Sequence, residues 1–182
     1  MNSSLRRIFR LLNKFFMVPV FRIGLGAFVG NPITGYIMVL KTIGRKSGLV
    51  RYAPVNYAIL DGNIYCLSGF GKLAHWYQNL QINPEIDMIL PSATLSGKAV
   101  TVMDEDEWFR TTRQILKNGG FAGFLAGYNA WTISDQDLRE KSSEMVVIRI
   151  TPNRIYSGAV DPGGWLWVWL MVATIIGLII IF

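Results

Sequence analysis

Asp61-Gly62 sits between two runs of β-branched and aromatic residues, Tyr52 to Leu60 and Asn63 to Leu67. An Asp-Gly pair supplies the two left-handed positions of a tight hairpin turn, so this part of the chain is committed to antiparallel pairing. Runs of the same character at Tyr36 to Ile43, Ile86 to Leu90, Leu95 to Met103 and Met145 to Ile150 read as further strands, with a turn at Ser96-Gly97. Two helices interrupt them. One covers Ala74 to Ile82 and ends before Asn83-Pro84. The other starts at Asp104, an N-cap with Glu107 three residues on, and carries Trp108, Ile115 and Leu116. Antiparallel strands with few inserted helices predict an α+β, mainly antiparallel β fold, a small barrel rather than a parallel doubly wound sheet. Gly24-Leu25-Gly26 lacks the third glycine of a dinucleotide fingerprint.

The two ends of the chain differ from this middle. Trp165 to Phe182 is 18 residues without a charge, about 27 Å as a helix, and is expected to be a C-terminal transmembrane helix, with Trp165, Trp167 and Trp169 at the interface. Ser4 to Phe16 places Leu5, Ile8, Phe9, Leu12, Phe15 and Phe16 at helical spacing among Arg6, Arg7, Arg10 and Lys14. That is a basic amphipathic helix, expected to stop at Pro19. Residues 1 to 51 hold nine Lys and Arg and no Asp or Glu, whereas residues 52 to 182 hold nine basic and twelve acidic residues. A local basic excess beside an apolar tail implies membrane lipids as partners and a main domain on the cytoplasmic side. No nucleic-acid-binding module is present, so nucleic acid is not an expected partner. The expected layout is an amphipathic helix over 1–20, a barrel domain over 21–160 and a membrane helix over 165–182.

The chemistry is concentrated in two segments. Gly44-Arg45-Lys46-Ser47-Gly48, followed by Arg51, is a glycine-flanked loop whose cations and hydroxyl suit a phosphate or carboxylate. It lacks the spacing of a Walker loop. The second segment, Ser68-Gly69-Phe70-Gly71 and then His75-Trp76-Tyr77-Gln78-Asn79-Leu80, pairs a glycine turn with large aromatic residues suited to a flat ring. Cys66 is the only cysteine, so an intrachain disulfide is excluded and a cysteine-based metal site has too few ligands.

Taken together, VLKTIGRKSGLVRYAPVNY, DGNIYCLSGFG and HWYQNLQINPEI resemble the deazaflavin-dependent nitroreductase family, a branch of the split β-barrel flavin and deazaflavin oxidoreductases, over roughly residues 20 to 150. The resemblance implies a split barrel that binds reduced coenzyme F420, FMN being the alternative. Carried onto this sequence, it implies that Lys46 and Arg51 hold the cofactor's phosphate and tail, assisted by Arg45 and Ser47. Ala53, Pro54 and Val55, with Ser68, Gly69, Phe70 and Gly71, would border the ring, and Trp76 and Asn79 would shape the pocket. The cofactor supplies the hydride, so a dedicated acid is not required; Tyr128, Ser68 and solvent are the candidate proton donors. Where the family carries a tyrosine-rich substrate segment, this chain has FAGFLAGYNAW. The expected function is a membrane-anchored, F420H2-dependent reductase of a lipophilic acceptor, a quinone or nitroaromatic-like compound. The alternatives are a non-catalytic lipid or fatty-acid binder on the same scaffold and an FMN-binding reductase.

Overall fold

A computed structural model describes residues 11–120, 129, 132–156 and 166–181. Six strands, β1 (Ile37–Ile43), β2 (Val50–Leu60), β3 (Asn63–Ser68), β4 (Glu85–Ile89), β5 (Thr94–Thr101) and β6 (Val146–Tyr156), form a closed barrel in the order β1-β2-β3-β6-β5-β4. Every pairing is antiparallel, and β1 closes the ring by binding β2 on one edge and β4 on the other. The β2–β3 hairpin turns at Asp61 and Gly62 with φ of 50° and 76°, the paired left-handed positions that an Asp-Gly dipeptide supplies.

Strand alternation separates two faces. Met38 and Leu40 of β1, Val55 and Tyr57 of β2, Ile64 and Cys66 of β3, Met88 of β4 and Ile148 and Ile150 of β6 share one buried cluster, the barrel interior. Helix α3 (His75–Ile82) seals it by adding Tyr77 and Leu80. The opposite face is covered in two places. Val39 and Ile89 pack on Met17, Val18 and Phe21 from the N-terminal segment, and Ala58, Tyr65 and Val147 pack on Ile115 of α4 (Glu105–Lys117). Burying side chains of this size is worth about 1.5–3 kcal/mol each, so the barrel is stabilised from both sides of its wall.

Helix α4 begins as its cap residues require, with Asp104 accepting from the Glu107 amide at 2.8 Å. Its Glu107 carboxylate then accepts from Tyr65 Oη at 2.8 Å and Arg149 Nη1 at 2.9 Å, tying the helix to β3 and β6. Burial, and after it the neighbouring carboxylate, hold the Tyr65 hydroxyl above its ordinary pKa. A further helix, α5 (Asp135–Ser142), was not expected from the sequence; its signal is Ser134, whose hydroxyl accepts from the Asp137 amide at 3.1 Å.

Four expectations need correction. The C-terminal helix α6 runs over Leu166–Ile181, 16 residues, about 24 Å against a hydrocarbon core of about 30 Å. Among the described residues no helix is long and apolar enough to cross a membrane. The expected transmembrane helix is therefore not found, and the single-pass localisation that rested on it falls with it. The N-terminal helical segment does not stop at Pro19. A π-helical turn over Asn13–Met17, closed by the Val18 N–H on the Asn13 carbonyl, leads without a break into α1 (Val18–Arg22), and Pro19 follows that widened turn; a short α2 (Gly26–Val29) follows. Residues 1–10, the first part of the expected amphipathic helix, lie outside the described residues. Finally, Ser96-Gly97 is not a turn but a bulge inside β5, where a Cβ on Gly97 would lie 2.6 Å from the Thr151 carbonyl oxygen.

The barrel interior makes one linkage prediction. Cys66 is fully buried, and burial pushes its thiol pKa well above the ordinary value of 9.0. The folded value exceeds the unfolded one, so its contribution is complete below about pH 9 and is lost as pH rises further. Denaturant titrations between pH 8 and 10.5 should show stability falling more steeply in the wild type than in Cys66→Ala, and a thiol reagent should label the native protein only as fast as it unfolds.

Candidate cofactor site

The cationic loop joins β1 to β2, and its closing pair is Ile43 opposite Val50. Gly44 N–H donates to the Leu49 carbonyl at 2.8 Å, Gly48 N–H returns to the Gly44 carbonyl at 2.8 Å, and Gly48 takes φ of +66°. The loop is thus folded on its own backbone, with Lys46, Ser47 and Arg51 exposed. Ser47 Oγ accepts from Arg51 Nη2 at 3.3 Å. Among the described residues neither Lys46 nor Arg51 pairs with a carboxylate, although Lys41, Arg110, Arg113, Arg139 and Arg149 all do. Two uncompensated cations beside a hydroxyl on a fixed loop form a donor set that suits a phosphate and an acidic tail.

Arg45 is arranged differently. Its backbone N–H and its Nη1 donate to Asn79 Oδ1 at 3.1 and 3.2 Å, and its Nη2 donates to Gln78 Oε1. Asn79, 3% exposed, donates through Nδ2 to Thr42 Oγ1 at 3.3 Å. The side chain expected to assist with the phosphate is therefore turned toward α3, and Asn79 belongs to the loop's support.

On the other side, Ser68, 1% exposed, donates to the Gly71 carbonyl at 2.7 Å. Its hydroxyl proton is engaged inside the turn, which removes the feature that made it a candidate donor. Gly71 has φ of +54°, and a Cβ there would lie 2.3 Å from the Glu144 carbonyl oxygen, so only glycine fits. The turn leaves Gly69 and Phe70 exposed and continues as a 3-10 turn, Gly71–Leu73, into α3. Val55 points into the barrel interior, and Ala53 and Trp76 are half-buried against it. Pro54 is also half-buried. Tyr128, the other side chain among the candidate proton donors, lies outside the described residues. The sequence reading missed Gln78, although it stood inside the aromatic segment. Its importance is visible only once the loop and the helix are adjacent.

Residues 19–123, more than half of the chain, match the family described as F420H(2)-dependent quinone reductase. The chain belongs to that family. It is an F420-dependent reductase, and its cofactor is coenzyme F420, in line with the resemblance carried by the two segments. A comparison with curated proteins gives no match. Among solved structures, a conserved hypothetical protein from Mycobacterium tuberculosis is similar at 18% identity and a TM-score of 0.53, covering 65% of this chain and 74% of that one. At this identity the likeness speaks for the split-barrel fold alone. Two others are more distant. A haem storage protein from Vibrio cholerae is 14% identical with a TM-score of 0.47, covering 65% of this chain and 82% of that one. General stress protein 26 from Bacillus anthracis is 14% identical with a TM-score of 0.45, covering 75% and 92%.

The two kinds of residue in the loop should separate in stability measurements. Lys46→Ala should leave the unfolding free energy within about 0.5 kcal/mol of wild type. Asn79→Leu, which removes the acceptor of two Arg45 donors and the donor to Thr42 Oγ1 in a part-buried network, should cost about 1–3 kcal/mol in urea titration.

Proposed function

We propose that this F420-dependent reductase passes two electrons to a quinone. The observation that carries the reading is the family match, joined by a pair of uncompensated cations, Lys46 on a loop whose shape is already set and Arg51 at the start of the β2 strand that follows it. In this reading residues 21–160 form the cofactor-binding domain. Lys46 and Arg51, with Ser47, hold the phosphate and acidic tail, and the charge of Arg45 adds to the local positive potential. Ala53, Pro54, Val55 and the Ser68–Gly71 turn border the ring, and Trp76 closes one side of the pocket.

When bound, reduced F420 supplies a hydride. The work of this chain is to hold and orient. The Ser68–Gly71 hydrogen bond and the left-handed Gly71 fix the turn beside the ring, so that backbone rather than a mobile side chain defines its edge. Reduction of a quinone to the hydroquinone takes the hydride and one proton. With Ser68 engaged in the turn, the proton reaches the second oxygen from solvent at the exposed Gly69–Phe70 edge.

The test is anaerobic oxidation of F420H2 by the purified protein with menadione as acceptor, followed by the return of F420 absorbance. Turnover with menadione and none with a nitroimidazole is the expected result; the reverse preference would overturn the quinone assignment. Lys46→Ala and Arg51→Ala should each weaken F420 binding by about 1.5–3 kcal/mol, read by tryptophan quenching, and unchanged affinity in both would show that the tail lies elsewhere.

A further inference from the structure

Two adjacent amides of α3 are bonded in opposite directions. Gln78 Oε1 accepts from Arg45 of the cationic loop, while its Nε2 donates to the Lys72 carbonyl at 3.0 Å. Asn79 Oδ1 accepts twice from Arg45 and its Nδ2 donates to Thr42 Oγ1, which itself reaches the Arg51 carbonyl at 3.5 Å. Arginine has no acceptor and a backbone carbonyl has no donor, so only a side chain carrying both functions can bridge them. Glutamate at position 78 would satisfy Arg45 but would set a carboxylate against the Lys72 carbonyl, which has no proton to give. Helix α3 is itself fixed, because Tyr77 and Leu80 are part of the barrel interior.

We propose that Gln78 and Asn79 are positioning residues that set the spacing between the cationic loop and the Gly69–Leu73 turn, with Arg45 as the arm they hold rather than a ligand of the cofactor. The proposal rests on the reading that these two segments hold opposite ends of one molecule of F420. Gln78 spans both segments with one side chain. Its loss releases the two together, whereas loss of a simple contact residue affects only the segment that carries it. Asn79 holds the loop end alone, at Thr42 and Arg45.

The test compares Gln78→Leu and Gln78→Glu with wild type by amide hydrogen exchange of the cofactor-free protein and by F420H2 kinetics. Gln78→Leu should raise exchange about tenfold both in residues 44–49 and in residues 69–73, with the barrel strands still protected. Its KM for F420H2 should rise by about the same factor and its kcat should fall, because tail and ring are no longer held in register. Gln78→Glu keeps the Arg45 bond and loses the Lys72 bond, so its exchange should rise in residues 69–73 only. Unchanged exchange in either segment of Gln78→Leu overturns the proposal. Coupled release in a protein that binds no F420 would support the coupling and overturn the cofactor reading instead.

Discussion

Strand β1 is hydrogen-bonded along both edges, to β2 over its whole length and to β4 through Val39, Leu40 and Lys41. Its side chains are also buried on both faces, with Met38 and Leu40 in the barrel interior and Val39 under the N-terminal segment. A strand held in four directions cannot shift its register without exposing apolar groups and breaking two ladders at once. The cationic loop grows directly from the end of this strand and Arg51 pairs with its Thr42, so the positions of Lys46 and Arg51 are inherited from a strand held on every side.

The other half of the site is built with equal economy of freedom. Ser68 ends β3, its hydroxyl closes the turn onto Gly71, and Gly71 fits against Glu144 only because it has no side chain. Helix α3 follows at once and enters the barrel interior through Tyr77 and Leu80. Both halves are therefore referred to the same buried cluster, and the polar bonds through Gln78 and Asn79 join them across the surface. A redox site that leaves the chemistry to its cofactor needs this kind of preorganisation more than it needs a reactive side chain.

The barrel was legible because its signals are local. Asp61-Gly62 names its own turn, Asp104 and Glu107 name their own cap, and the strand runs are rich in β-branched and aromatic residues. What could not be read was the outcome of contacts between distant segments. Arg45 looked equivalent to Lys46 and Arg51 as a neighbour in a basic loop, yet 33 and 34 residues of separation bring Gln78 and Asn79 to it and to neither of the others. Ser68 looked like a free hydroxyl until its partner three residues on was seen. The apolar tail shows the opposite failure. Lack of charge fixes composition and not how far a helix runs, and among the described residues no helix is long and apolar enough to cross a membrane.

The partners of Arg45 have one further effect. Amide oxygens satisfy the hydrogen atoms of a guanidinium but do not cancel its charge, unlike the carboxylates that meet Arg110, Arg113, Arg139 and Arg149. Arg45 therefore keeps its full field beside Lys46 in the same loop, within residues 1 to 51, which contain no acidic residue. An approaching polyanion meets that field before it meets any contact, so capture becomes a matter of long-range attraction whose rate declines as salt is added.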